Sequence, residues 1–290
     1  MNALEAEDLN ITINGATLLD SVTVSVRQGA VTGIIGPNGA GKSTLLAALA
    51  GFTHPRRGVV RVNGVDIHTI PHLELAQQRA VMNQSSDVAF PYTIREIVEM
   101  GRTPWGTNPA NSTAVEQAIE LTGLSHLLDR EITTLSGGER QRTAFARVIA
   151  QAFPMCAGRV LLLDEPTAAM DVAYAEHTLA LTQEFAALGA AVVVVIHDLD
   201  AAASYADDLI VLDQGRVRAA GATAEVCDAR LLSSVYRTSL EVFEAAGRTR
   251  ISPVRPCRFL KPRDSHSVSN NSGSGNNSAS ETHGAGITES

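Results

Sequence analysis

The chain has 290 residues, 44% of them apolar and 19% charged, a composition typical of a folded globular protein with one large domain or two smaller ones. It contains 23 basic and 31 acidic residues, so it lacks the positive charge with which nucleic-acid-binding proteins hold phosphates. Its longest apolar stretches are far shorter than the ~20 residues of a membrane-spanning helix, and its acidic N-terminus does not resemble a signal peptide. We therefore expect a cytosolic chain, unless another protein tethers it, with no nucleic-acid partner.

The cysteine pattern agrees with a reducing compartment. Three cysteines, Cys156, Cys227 and Cys257, are widely spaced and form no CxxC motif. An odd, scattered set is typical of reduced thiols rather than of disulfides or a zinc site.

Short β-type runs alternate with helical patterns up to about residue 250, which predicts an α/β core. Continuous apolar runs indicate buried parallel strands, and alternating polar and apolar residues indicate antiparallel strands beside them. The predicted parallel strands are 31–35, 160–163 and 191–196, and the predicted antiparallel strands are 4–13, 17–27 and 59–65.

The chain divides into two parts by composition. We expect one domain over 1–250, with a mainly helical subdomain inserted at about 86–150. Residues 262–290 are rich in Ser, Asn and Gly with almost no large apolar side chain, which predicts a disordered tail.

A glycine-rich loop lies between the predicted strand 31–35 and a predicted helix that begins at Lys42, and it matches the phosphate-binding pattern GxxxxGK[ST]. In such a loop the backbone N–H groups surround a phosphate, the lysine reaches the β- and γ-phosphates, and the serine hydroxyl binds Mg²⁺. Lys42 is one of only two lysines in the chain. The predicted nucleotide-binding residues are Gly36, Pro37, Asn38, Gly39, Ala40, Gly41, Lys42, Ser43 and Thr44.

Two adjacent carboxylates, Asp164 and Glu165, end the predicted strand 160–163. Ligands bind at the carboxyl edge of parallel sheets, so Asp164 is a candidate Mg²⁺ ligand together with Ser43. Side chains alternate along a strand, so Glu165 points elsewhere and is the candidate base for the attacking water. Acidic pairs after strands also serve as helix caps, and the phosphate loop upstream favours the catalytic interpretation.

Two further polar residues follow predicted strands. His197 comes after the strand 191–196 and is a candidate contact to the γ-phosphate, although histidines at strand ends are often purely structural. Gln84 follows an apolar run and is a candidate ligand to Mg²⁺ or to the water, although a glutamine there is often only solvated.

The segment Leu135-Ser136-Gly137-Gly138-Glu139 precedes a predicted helix. Ser136 and Glu139 have the spacing of a capping box. Each glycine costs about 1 kcal/mol in a helix relative to alanine, so a cap alone does not explain the pair. Glycines there expose N–H groups at a helix N-terminus, which suits a second phosphate contact.

In this order, GPNGAGKS, LSGGE, LLLDEP and IHD resemble the motifs of ATP-binding subunits of ABC transporters, and the resemblance covers about residues 1–245. It implies an α/β P-loop NTPase fold with a mainly parallel sheet, an antiparallel β subdomain and an inserted helical subdomain. It also implies ATP and Mg²⁺ as cofactors.

The same resemblance implies a head-to-tail homodimer that encloses two ATP molecules. In it, Ser136, Gly137 and Gly138, with Glu139 beside them, contact the γ-phosphate held by the partner's loop. Gln84 matches the Q-loop glutamine, Asp171 the D-loop aspartate and His197 the switch histidine.

The chain departs from the family pattern at two places. The family usually has an aromatic residue under the adenine at about position 13, where this chain has Ile13. Residues 167–171 read TAAMD, where TSALD is common.

Three less specific stretches, 79–104, 152–159 and 197–207, are similar to haem-import ATPases, and siderophore and cobalamin ATPases share the first and third in altered form. The resemblance implies a peripheral subunit on the cytoplasmic face of the membrane, bound to a permease dimer. It also implies an external haem-binding protein that delivers haem to the permease. We expect residues 84–105 to face the permease and the chain itself never to touch haem.

Two other classes remain as alternatives. A soluble ABC ATPase that remodels protein or nucleic-acid complexes is disfavoured by the single cassette, the acidic charge and the lack of coiled-coil heptads. A nucleotide sensor without turnover is disfavoured by the presence of both Glu165 and His197.

Overall fold

The computed structural model describes residues 1–83, 90–245 and 247–254. In it, the long alternating segments and the short apolar runs of the sequence form two different sheets. The strands are β1 (Asn2–Ile13), β2 (Ala16–Arg27), β3 (Val31–Ile35), β4 (Arg57–Val62), β5 (Val65–Asp66), β6 (Arg79–Met82), β7 (Val160–Asp164), β8 (Ala191–Val195), β9 (Asp208–Asp213), β10 (Arg216–Ala222), β11 (Leu240–Ala245) and β12 (Arg248–Pro253).

The helices lie between these strands and after β10. They are α1 (Lys42–Leu49), α2 (His72–Gln78), α3 (Ile94–Met100), α4 (Ala110–Leu121), α5 (Gly137–Ala152), α6 (Val172–Ala187), α7 (Leu199–Tyr205), α8 (Thr223–Val226) and α9 (Ala229–Tyr236). Short 3₁₀ turns occur at Thr103–Trp105 and Ile132–Thr134.

The central sheet has the order β10-β9-β3-β8-β7-β6 among the described residues. Every pair from β9 to β6 is parallel, and β10 is an antiparallel edge strand. All residues of β3, β7 and β8 are buried, as expected of strands covered on both faces. Because parallel strands end at the same edge, the loops after β3, β7 and β8 lie side by side.

The second sheet, in the order β2-β1-β4-β5, is antiparallel. It is built on the long hairpin of β1 and β2, which turns at Asn14 and Gly15. The predicted strand 59–65 divides into β4 and β5 at Asn63 and Gly64, both of which have positive φ. The predicted α/β fold with antiparallel strands beside a mainly parallel sheet is confirmed.

Helices α3, α4 and α5 lie in the region for which a helical subdomain is predicted. They pack through apolar faces around Phe145, which is fully buried. The predicted Q-loop glutamine, Gln84, lies outside the described residues, as does the predicted tail at 262–290.

In the described part of the chain, no helix combines the length and apolar character needed to cross a membrane. Cys156 and Cys227 carry free thiols. Cys257 lies outside the described residues.

Candidate nucleotide site

At two positions of the loop between β3 and α1, the backbone conformation and the close packing accommodate only glycine. Gly36 has a φ of +151°, and a Cβ there would lie 2.1 Å from the carbonyl oxygen of Leu212. Gly41, the residue before α1, has a φ of +103°, and its Cβ would lie 3.0 Å from the carbonyl oxygen of Leu18. The glycines of the motif therefore let the loop lie directly against β9 and β2.

Lys42 is the buried cation of this loop, with 6% of its surface exposed. Its Nζ donates hydrogen bonds to the carbonyl oxygens of Gly36, at 2.8 Å, and Pro37, at 3.1 Å. Burial lowers the pKa of Lys42, and the carboxylates of Glu165 and Asp164 oppose that change. The ammonium is thus held by loop carbonyls, and a phosphate is a stronger acceptor for it.

Asp164 ends β7 with 6% of its surface exposed, and one of its carboxylate oxygens is buried without a hydrogen-bond partner. Burial raises the pKa of Asp164, whereas a hydrogen bond from Ser43 lowers it. A buried carboxylate oxygen with no donor is costly unless a cation completes its surroundings. Carboxylate and hydroxyl oxygens are ligands that Mg²⁺ prefers, so Asp164 and Ser43 fit this ion.

Glu165 leaves the strand direction, with a φ of +50°. Its backbone carbonyl accepts a 2.8 Å hydrogen bond from Nε2 of Gln141, and its Oε1 is hydrogen-bonded to Nε2 of His197. This positive φ turns the Glu165 side chain away from that of Asp164. The Asp164 carboxylate is hydrogen-bonded to Ser43. The two residues predicted to act on the γ-phosphate and the water thus contact each other.

Lys42, Ser43, Glu165 and His197 line one cleft of about 430 Å³, within the range of small-molecule sites. The cleft brings together the loop residues 38–44 with Glu165 and His197. It is also lined by four residues that the sequence did not indicate: Thr17, Leu18, Gln214 and Gly215.

The four additional residues come from the β1–β2 hairpin and the β9–β10 turn. Gly215 donates a 2.9 Å backbone hydrogen bond to Ala40 and accepts one of the same length from Asp20. The glycine in the pair Gln214-Gly215 is the only local signal for such a turn, and nothing local links it to the phosphate loop. Ile13, at the position where the family usually has its aromatic, is 45% exposed and is not among the residues lining the cleft.

The capping box predicted at α5 is present. The Ser136 hydroxyl accepts from the Glu139 amide at 3.2 Å, and the Glu139 carboxylate accepts from the Ser136 amide at 2.7 Å. Hydrogen bonds from the backbone and side chain of Ser136 to the carboxylate lower the pKa of Glu139. Cβ atoms on Gly137 and Gly138 would lie 3.2 Å and 3.0 Å from atoms of Ala169, so both glycines also permit close packing.

None of the residues Ser136–Glu139 lines the cleft of the same chain. Asp171, the predicted D-loop aspartate, caps α6 by accepting a 3.0 Å hydrogen bond from the amide of Tyr174. The structure therefore gathers the phosphate loop with Asp164, Glu165 and His197, and leaves the LSGGE segment elsewhere.

A parallel sheet with a phosphate loop after β3 and acidic residues after β7 defines the class of P-loop nucleotide-binding proteins. A profile of the ABC transporter family matches residues 19–168. The hemin import ATP-binding protein HmuV of Rhodococcus jostii is 44% identical, over 88% of this chain and 87% of its own. HmuV of Streptomyces coelicolor is 47% identical, over 82% and 84% of the two chains. The chain belongs to the ABC transporter family, as an ATP-binding subunit.

Two other similarities bear on the kind of transporter. The cobalamin import ATP-binding protein BtuD of Halobacterium salinarum is 40% identical over 87% of this chain, but over only 63% of its own length. Among solved structures, a putative metal-chelate type ABC transporter in an inward-facing conformation has a TM-score of 0.73 and 26% identity, covering 88% of this chain and 98% of that one.

Proposed function

We propose that this chain hydrolyses ATP to drive the import of haem through a membrane permease. The observation that carries the proposal is the cleft in which the Lys42 loop meets the Glu165–His197 pair, with Asp164 hydrogen-bonded to Ser43 of the same loop. Family membership and similarity to hemin import ATP-binding proteins support the direction and cargo of transport.

In this proposal the loop binds the phosphates of ATP. Its backbone N–H groups and the N-terminus of α1 hold the β-phosphate, and Lys42 exchanges its carbonyl partners for phosphate oxygens. Ser43 and Asp164 would hold Mg²⁺, and Gln84 is proposed as a further ligand. When bound, the ion neutralises charge on the phosphates.

Glu165 is proposed as the base that orients and activates the attacking water. His197 already contacts its carboxylate, and we assign His197 the additional role of donating to the γ-phosphate. The side chain of Glu165 is 16% exposed, so solvent reaches it.

We further propose a head-to-tail homodimer. Ser136, Gly137, Gly138 and Glu139 carry a helix N-terminus suited to phosphate, yet they lie outside their own cleft. A second copy that places this helix over the γ-phosphate would complete the site, with Asp171 beside it at the start of α6.

The proposed location is the cytoplasmic face of the membrane, where the chain binds a permease dimer. An external haem-binding protein delivers haem to that permease. The helical region with residues 84–105 is the proposed permease contact. Phe90 and Met100 in this region are exposed apolar side chains, 66% and 40% accessible, as expected of a surface that a partner covers.

Steady-state hydrolysis of MgATP by the wild type and by Glu165→Gln tests the catalytic part. We expect the variant to bind ATP with wild-type affinity and to lose at least about 100-fold in kcat, because it retains the loop and loses the base. Wild-type turnover in Glu165→Gln would contradict the role of Glu165.

Growth on haem as the only iron source, in cells with and without the gene, tests the cargo. We expect growth to depend on the chain and on Glu165. Normal growth on haem without the gene would contradict haem as the cargo. A simultaneous loss of cobalamin or siderophore uptake would identify that compound as the cargo instead.

A further inference from the structure

His197 is too exposed for packing to fix its side chain. Nearly half of that side chain, 47%, is accessible to solvent. Apart from its hydrogen bond to Glu165, its position therefore depends on the backbone on either side of it. On one side, Ile196 donates a 3.2 Å hydrogen bond to Ile34 of β3. On the other side, α7 begins two residues after His197.

The first turn of α7 is fixed from within by its cap. Asp198 accepts hydrogen bonds from the amides of Asp200, at 2.8 Å, and Ala201, at 3.1 Å. This cap leaves the carboxylate of Asp200, three residues after His197, available for another partner.

That partner is β12, which lies 50 residues further along the chain. The guanidinium of Arg250 pairs with the carboxylate of Asp200, and the amide of Ile251 donates to the same carboxylate at 3.2 Å. A side chain and a backbone group of β12 thus both bind Asp200, in the first turn of α7, three residues after His197.

The hairpin of β11 and β12 is itself anchored. Leu240 and Ile251 are buried in the core cluster, and the Ser233 hydroxyl accepts a 2.9 Å hydrogen bond from the Leu240 amide. The far end of α7 is tied to α6, where the Tyr205 hydroxyl donates to Glu176 at 2.5 Å. Helix α7 is therefore held between α6 and the hairpin.

We propose that Asp200 and Arg250 are positioning residues, which hold His197 at the distance from Glu165 and the γ-phosphate that hydrolysis requires. The inference rests on the proposed function. Small displacements of a catalytic group cost large factors in rate, whereas a half-exposed ion pair adds little to stability. We therefore expect a loss in kcat without a matching loss in stability.

The test compares Arg250→Gln and Asp200→Asn with Arg57→Gln as a matched control. Arg57 forms an exposed pair with Asp8 at 2.7 Å, in the other sheet. For each variant, kcat and KM for MgATP, nucleotide affinity and Tm are measured. We expect kcat to fall about tenfold in Arg250→Gln, with the other three quantities unchanged, and no change in the control.

The double variant Asp200→Asn with Arg250→Gln separates a shared contact from two independent effects. We expect it to be no slower than the slower single variant, because both residues act through one contact. An unchanged kcat in Arg250→Gln, or effects that multiply in the double variant, would overturn the proposal.

A second readout does not depend on ATP hydrolysis. In nucleotide-free protein labelled with ¹⁵N-histidine, we expect the Nε2 resonance of His197, identified by its loss in His197→Ala, to shift in Arg250→Gln and not in Arg57→Gln. If the wild type shows no turnover, the proposed function fails, and this resonance still tests the contact. An unmoved resonance would overturn the positioning role.

Discussion

Among single residues, Lys42 is central to the proposed binding of phosphate in the cleft. Its ammonium is buried, bonded to two carbonyls of its own loop, and its pKa is lowered by that burial. We expect Lys42→Arg to bind nucleotide as poorly as Lys42→Ala, because the guanidinium is too large for a position enclosed by the loop. Equilibrium binding of a fluorescent ATP analogue measures this. Wild-type affinity in either variant would contradict the assignment of the loop.

Gly36 carries a steric constraint that can be tested by stability alone. A Cβ there would meet the Leu212 carbonyl at 2.1 Å, so we expect Gly36→Ala to lose at least about 2 kcal/mol in the free energy of unfolding. Gly64→Ala is the control: its φ is +83° but no atom lies within 4 Å, so we expect about 1 kcal/mol. Equal losses in urea denaturation would show that the contact with Leu212 is unimportant.

The sequence predicted the cleft residues that belong to contiguous motifs, since spacing alone defines a phosphate loop or a strand that ends in two carboxylates. It did not predict Thr17 and Gln214. These residues reach the loop only because β2 and the β9–β10 turn pack beside it, a contact between distant segments that no local pattern encodes. The pairing of Glu165 with His197 depends likewise on β7 and β8 being neighbours.

Among the elements, α5 links the LSGGE segment to the loop before α6. A Cβ on Gly138 would lie 3.0 Å from the Ala169 carbonyl, so we expect Gly138→Ala to displace the start of α5. We predict that hydrolysis falls by at least about tenfold while ATP binding is unchanged, because Gly138 lies outside the cleft of its own chain. Reduced ATP binding by the isolated subunit would contradict this division of roles.

The cap of α5 makes stability depend on pH. Hydrogen bonds from Ser136 lower the pKa of Glu139, so its carboxylate stabilises the folded protein above the unfolded pKa of about 4.3. This contribution is lost as the pH falls through the lower, folded value. We expect Glu139→Ala to be less stable than the wild type at pH 7 and equal to it at the acidic end of a urea series. A difference that persists there would contradict the capping role.

The sequence predicted strands β1–β5, β7 and β8, because buried parallel strands and alternating antiparallel strands have distinct patterns. The hairpin of β11 and β12 was not singled out. Its residues alternate, but Glu241 and Glu244 point to solvent and only Leu240 and Ile251 are buried, so the apolar signal is weak. Contact with α7 stabilises this pair of strands, and such contact is a tertiary property.

The proposed mechanism of hydrolysis requires two copies of the chain. We expect Glu165→Gln to be monomeric without nucleotide and dimeric with MgATP, because each LSGGE segment needs ATP on the partner's loop. Light scattering after size-exclusion chromatography measures the mass. Lys42→Ala is the control and should stay monomeric in both conditions. A dimer that forms equally without ATP would contradict a nucleotide-mediated interface.

In the proposed function, ATP hydrolysis by this chain drives a permease. The most direct measurement is affinity purification of tagged Glu165→Gln with MgATP from native membranes solubilised in detergent, with partners identified by mass spectrometry. We predict that a permease with several membrane spans co-purifies in a fixed ratio. Recovery of soluble proteins alone would contradict the transport account and favour an ATPase that remodels other complexes.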